Sequence, residues 1–563
     1  MPRLLSALVL LMMMTGCKMP GEQQDFSKVT EDFVYGSLAL SPVSATQAGY
    51  HVHNGIPLDE RLDDYSRGGI QQQRQFYFGF RDRLSLIKPE TLSPEERADY
   101  GIIQNQIDLA LLDLERIQSF RHNPTVYVEL IGNALFNPYV LDYAPLETRY
   151  KQIIQRLFKI PSFLDTAKEM LLDSPDTWTA VAQEENDGNV DLIDKTLREK
   201  VPADLKPEFD RAAAGALAAL RRFNMYLKND LSRRPAEWRL GKDKYDQKFR
   251  YTLASGKTPE QVLAEAETAL KTIRDDMAKL AAPRSVKEAL DKIAQQHATP
   301  QTYLDEARKD VEEATNFVKA KHLVTLPARG NLQVIPTPEF MRGVYAVGGF
   351  NPAPALEPQL GAFYWVTPIP ANWKKEQIES KLREYNTYGM QELTIHEAMP
   401  GHYVQLEIAN DLEPKPRRLL RNIYGNGAYV EGWAVYAQQL MSDQGYLNNS
   451  VELRMTLYKQ LLRVVANAII DIRFHTMNMT EQEALDLMIN DTFQEKAEAT
   501  AKIQRAQLSS CQLPTYFVGW RGWLDAREQY QKRKAAAFNL TEFHDAALKE
   551  SAVPLSVLGP LLH

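Results

Sequence analysis

Apolar residues recur at three- and four-residue intervals along most of the chain, and that pattern predicts helices. It is plain over 71–87, 96–119 and 147–172. Segment 207–231 is rich in Ala and Leu, both strong helix formers. Segment 258–282 opens on Thr258, Pro259 and Glu260, a cap followed by residues suited to a first turn. Between about 322 and 375 the texture changes. Pro and Gly become frequent, and β-prone pieces such as LQVI (332–335) and AFYWV (362–366) stand between them, so a small sheet is predicted there. Helical periodicity returns over 376–409, 415–442, 449–475, 480–491, 494–508 and 521–535. The expectation is a mostly α protein of two lobes: an N-terminal helical lobe over 26–320, and a C-terminal lobe over 321–563 that begins with the small sheet.

The first residues follow a different pattern. Arg3 precedes an apolar run from 4 to 14, which is short for a bilayer span and suits the apolar region of a signal peptide. Met14-Thr15-Gly16-Cys17 then resembles the lipobox of bacterial lipoproteins, where cleavage leaves Cys at the new N-terminus for acylation. The expected layout is a signal peptide over 1–16, a lipidated Cys17 and a tether over 17–25. Lys18, being other than Asp, points to the outer membrane facing the periplasm. The alternative is an ordinary secretory signal with a chance cysteine. No later stretch reaches 18 continuous apolar residues, so membrane contact is expected through the lipid anchor alone.

Composition adds little. A chain of 563 residues with 25% charged residues and a net charge of −7 gives no reason to expect nucleic acid. Two cysteines, Cys17 and Cys511, exclude a disulfide framework.

The chemistry gathers in TIHEAMPGHYVQ, residues 394–405. A catalytic zinc takes three N or O ligands and keeps a fourth position open, with a carboxylate nearby to accept a proton. His396 and Glu397 supply a candidate ligand and a candidate base, and His402 a second ligand. The spacing is two residues longer than HExxH. On a straight helix it would turn the second histidine roughly 120° away from the first, against about 40° for HExxH. Pro400 removes a backbone donor and Gly401 tolerates a bend, so a wide turn could restore one face. Spacing alone fits equally well a helix-ending Pro-Gly between unrelated histidines.

Downstream, Glu431 lies 29 residues after His402 on an apolar face with Tyr429, Trp433 and Tyr436. A buried carboxylate needs a partner, either a metal or a cation such as Arg421. Asp471 and His475 are four apart on one helix face, where the acid could fix the imidazole tautomer. His475 could instead simply complement the helix C-terminus. Arg505 could grip a substrate carboxylate and Tyr516 could donate to an oxyanion.

Together these stretches resemble the domain of unknown function 885 family of bacterial proteins. Its HEAxPGHxxQ helix is matched by His396, Glu397, Ala398, Pro400, Gly401, His402 and Gln405. Its YxEGWAxY segment is matched by Tyr429, Glu431, Gly432, Trp433, Ala434 and Tyr436. Arg463, Asp471 and His475 fit a later helix, and Gln512, Tyr516 and Gly519 the last motif. Gln438 departs from the usual acid, and Cys511 from the usual Gly. The resemblance implies a zincin-like helical fold related to the glutamate zincins (gluzincins), with Zn²⁺ held by His396, His402 and Glu431. It implies a lipid-anchored periplasmic peptidase of carboxypeptidase or oligopeptidase type acting on peptide substrates. Glu397, His475 and Tyr516 are then the catalytic candidates, Arg505 the substrate-binding one, and 361–366 a strand to hold an extended peptide. The competing readings are a non-catalytic envelope lipoprotein and a metal-dependent amidase of cell-wall peptides. The sharpest expectation is geometric: the three ligand side chains should approach within about 3–5 Å of one another.

Overall fold

The computed structural model describes residues 25–338, 341–342 and 347–562. The signal segment, Cys17 and nearly all of the tether lie outside the described residues. Helices dominate, as the periodicity predicts, with a two-stranded hairpin at Val52–His53 and Ile56–Pro57 and a three-stranded sheet where the change of texture predicts one. The long amphipathic segments form Arg67–Ser85, Leu146–Met170, Lys206–Asn229 and Pro259–Ala281. Thr258 caps the last of these reciprocally with Gln261.

Two predicted segments are broken. Segment 376–409 becomes Lys375–Glu384, Thr387–Glu397 and His402–Ala409. Asn386 makes the first break by accepting from the backbone of Tyr388 and Gly389 at 3.1 and 3.2 Å. Segment 415–442 divides into Lys415–Ile423 and Gly427–Asp443, with Asn426 capping the second. The helices around the site are numbered α1 (Thr387–Glu397), α2 (His402–Ala409), α3 (Gly427–Asp443), α4 (Val451–Met477), α5 (Lys496–Leu508) and α6 (Pro514–Lys534).

The sheet has strands β1 (Leu332–Pro336), β2 (Gly348–Asn351) and β3 (Ala362–Val366), in the order β1-β3-β2. β3 runs parallel to β1 and antiparallel to β2, with Tyr364 opposite both Val334 and Phe350. β3 is therefore paired on both sides, which rules out the expectation that 361–366 holds a peptide as an added strand. The outer strands are β1, where Arg308 already donates to the Val334 carbonyl at 3.3 Å, and β2. The Phe350 ring of β2 lies 6.1 Å from Tyr403, the residue after His402.

All five β3 residues are buried, and their alternation joins two hydrophobic cores. Ala362, Tyr364 and Val366 enter a large core built from residues 26–111 and 245–562. Phe363 and Trp365 enter a second core built almost wholly from helices between 114 and 231. Tyr364 also reaches Thr394 of α1, oxygen to oxygen at 3.3 Å, which ties the sheet to the helix of the first histidine.

Candidate metal centre

α1 ends at Glu397, and a new helix begins at His402. The motif is thus a full break between two helices rather than one bulged helix. Ala398 leaves helical geometry at φ −122°, ψ −78°. Gly401 turns back on the end of α1 so closely that a Cβ there would stand 1.9 Å from the His396 carbonyl oxygen. Glycine is required at that position for space, not for a positive φ. The Trp433 indole N–H of α3 fastens the turn, donating to the Pro400 carbonyl at 2.9 Å and to that of Gly401 at 3.2 Å. The helix that carries Glu431 therefore also holds the loop between the two histidines.

The three side chains converge. Nε2 of His396 and Nε2 of His402 lie 3.5 and 3.4 Å from Oε2 of Glu431. All three candidate ligand atoms fall within 4.8 Å of one another. The imidazoles stand nearly perpendicular, with centroids 4.8 Å apart. Burial would raise the Glu431 carboxyl, but the two imidazoles facing it outweigh that and hold the group well below the usual carboxylate range. Burial would lower His402, and Glu431 raises it instead. The proton that His402 gains in this way is the one a cation would displace.

Outer contacts orient the set. Gln438 Oε1 lies 3.4 Å from Nδ1 of His396, while its Nε2 donates to the Glu392 carbonyl at 3.1 Å. The amide thus accepts from Nδ1–H and leaves Nε2 facing Glu431. Glu392 is fully buried one turn before His396, and burial pushes its carboxyl well above the ordinary range.

Glu397 follows His396 and is partly open to solvent. Tyr516 stacks on His396 at 6.2 Å between centroids, and Gln512 Nε2 donates to its hydroxyl at 3.4 Å. Burial, then Glu431, pushes that phenol up, so it stays protonated. The placement of Tyr516 depends on α3 and α6 touching backbone to backbone. A Cβ on Gly519 would stand 1.9 Å from the Ala428 carbonyl oxygen, and one on Gly432 2.3 Å from the Gly519 carbonyl carbon.

Other candidates lie elsewhere. His475 is not brought to the site. Its Nδ1 accepts from the Leu240 N–H and its Nε2 meets the Ser509 carbonyl, both at 3.2 Å. It stacks on Tyr245, and burial lowers it to about 4. Both ring nitrogens are committed to backbone, so the catalytic expectation for His475 is corrected to a packing role. Asp471 does not touch it, accepting instead from the Tyr245 hydroxyl and the Cys511 N–H. Arg421 pairs with Asp99 and Glu550 rather than Glu431. Arg505 is half-buried on α5, near enough to Tyr516 to favour its ionised form. Lys502, on the same helix, escaped the sequence reading. Burial lowers it to about 8, with Arg505 and Arg463 adding to the fall and Glu498 and Glu431 opposing it. Its three-residue spacing from Arg505 was the available signal.

The fold and this cluster define a helical protein with two histidines and a glutamate gathered on three helices as a candidate metal centre. Within that class the chain belongs to the family of bacterial proteins of unknown function DUF885, which it matches over residues 42–561. Two solved structures are similar. One, from Shewanella oneidensis, is 29% identical, with a TM-score of 0.78 over 95% of this chain and 99% of its own. The other, from Colwellia psychrerythraea, is 19% identical, with a TM-score of 0.80 over 96% and 98%. Each is described as a "putative lipoprotein", the first of unknown function. No curated protein matches the chain.

Proposed function

We propose that the protein is a metal-dependent peptidase of the cell envelope, resembling the glutamate zincins, with zinc held by His396, His402 and Glu431. The observation that carries this reading is the convergence of one oxygen and two nitrogen donors within 4.8 Å. Glu431 Oε2 is buried there without a hydrogen bond. A buried anionic oxygen facing two imidazole nitrogens is a donor set that fits zinc.

A bound zinc would supply Lewis acidity, polarising a scissile carbonyl and easing ionisation of a water. The protein's residues do the rest. Glu397 makes no ion pair or side-chain hydrogen bond among the described residues, so its carboxylate is available to take a proton from water and return it to the leaving amine. The Tyr516 hydroxyl, protonated beside His396, donates to the oxygen that gains charge. Gln438 keeps the His396 ring turned toward Glu431. The lipobox before Cys17 and the description of both structural neighbours as putative lipoproteins support attachment to the envelope of a Gram-negative cell, and Lys18, being other than Asp, favours the outer membrane.

The test is metal analysis of the purified protein beside a peptide-library digest. We expect about one zinc per chain, lost in His402→Ala, and cleavage abolished in Glu397→Gln with zinc retained. A protein that takes up no divalent metal, or a Glu397→Gln variant as active as the parent, would sink the reading.

A further inference from the structure

α5 presents two cations that form no ion pair among the described residues. Lys502 and Arg505 are three residues apart and so share a helix face. Both are half-buried, and neither makes an ion pair or a side-chain hydrogen bond among the described residues. Other charged groups packed nearby are paired. Lys459 and Arg463 both bind Glu384, and Glu498, one turn before Lys502, is taken by Arg463 at 3.5 Å. Removing a cation from water without a partner is costly, so two adjacent cases in a paired neighbourhood call for an anion that arrives from outside.

The position of the pair says where that anion would lie. Glu431 acts electrostatically on Lys502, and Arg505 acts on Tyr516, whose ring stacks on His396. Glu431 is not itself the missing partner, because its oxygen is turned to the two histidines. Farther along α5, Gln507 receives Thr177 and Trp178 of the helix Asp176–Asp191, at 3.0 Å and 2.7 Å. That helix contributes to the second core. The cationic face thus lies within electrostatic reach of Glu431 and Tyr516, on a helix that also meets the second core.

We propose that Lys502 and Arg505 form a subsite for the free C-terminal carboxylate of a peptide, so that the protein removes residues from peptide C-termini. This rests on the peptidase reading and narrows it to one substrate class. A guanidinium and an ammonium together can engage both oxygens of one carboxylate, and burial strengthens each contact.

Three peptides test it, chosen from those the protein cleaves: one with a free C-terminus, its C-terminal amide, and that amide with Glu as last residue. We expect the free acid to be cut at least about 10- to 100-fold better in kcat/KM than either amide, the range a charge-assisted contact supplies. Lys502→Met and Arg505→Met should each shrink that ratio mainly through KM, with Lys502→Arg restoring most of it. Zinc content and thermal midpoint, measured alongside, should stay at the parent values. Calorimetry on Glu397→Gln should show the free acid binding and the amide binding at least about 10-fold more weakly. Equal cleavage of acid and amide would overturn the subsite while leaving the peptidase standing. So would variants that slow both equally. Preference for the Glu-bearing amide would move recognition to a side-chain carboxylate and overturn the terminal form. A library digest in which no peptide is cleaved would remove the peptidase reading, and this inference with it.

Discussion

Tyr516 is where the proposed chemistry separates most cleanly from the architecture. Its ring packs on His396 and its hydroxyl meets Gln512, so Tyr516→Phe keeps the stacking and removes one donor. The expected result is a fall in kcat of roughly 10²–10³, with KM and zinc content unchanged, in steady-state assays of both proteins. A variant with parental kcat would leave Tyr516 a packing role only. His475 shows the limit of the same reasoning. Four-residue spacing put Asp471 and His475 on one face, and it does so in the structure. What spacing could not show is that Leu240, Ser509 and Cys511 bring backbone groups from distant segments to satisfy those side chains first. Gln438 is the converse case. Its amide departs from the motif of the resemblance, and it still offers an oxygen to Nδ1 of His396.

Among the elements, the crossing of α3 and α6 sets the site. Gly432 and Gly519 let the two backbones touch, which places Glu431 and Tyr516 on the same opening. Gly519→Ala would drive a methyl into the Ala428 carbonyl, and overpacking of that kind costs about 1–3 kcal/mol. The expected outcome is a lowered thermal midpoint together with weaker zinc retention on dialysis, because Glu431 moves with α3. A variant that melts earlier but keeps its zinc would show the crossing to be structural only. The broken helix at 398–401 has a similar origin. Pro400 and Gly401 announced a distortion, but its extent depends on Trp433 catching two carbonyls from another helix. The earlier break at Asn386 was legible and overlooked: an Asn followed by Thr387 is a capping signal within a helical pattern.

At the scale of the molecule, contacts far from the candidate metal ligands hold the two cores together. β3 sends alternate side chains into each core. Beside it His51 sits between Asp59 at 2.9 Å and Glu357 at 3.2 Å, stacked on Tyr143 at 4.4 Å. Burial alone would lower His51, but the two carboxylates raise it to about 9. A pKa raised on folding means that this contribution is complete below about 6.5 and is lost as pH climbs through about 9. The thermal midpoint should therefore decline across that interval, and His51→Gln should flatten the decline while lowering the midpoint at pH 6.5. An unchanged profile in the variant would mean that the cluster does not couple the segments.

Local pattern alone determined that the protein is helical, where its three-stranded sheet begins, and which stretch holds the candidate metal ligands. Those properties depend on periodicity, on Pro and Gly, and on residue types that need partners when buried. The motif pieces around His396, His402, Glu431 and Tyr516 were all visible in sequence. Only tertiary structure decided which of them meet. It turned a misspaced pair of histidines into neighbours by breaking the helix between them. It withdrew His475 by supplying backbone partners, and it left Lys502 and Arg505 without an ion pair among the described residues, where Lys459 and Arg463 are paired. A side chain's role depends on which distant group reaches it first, and sequence distance carries no record of that.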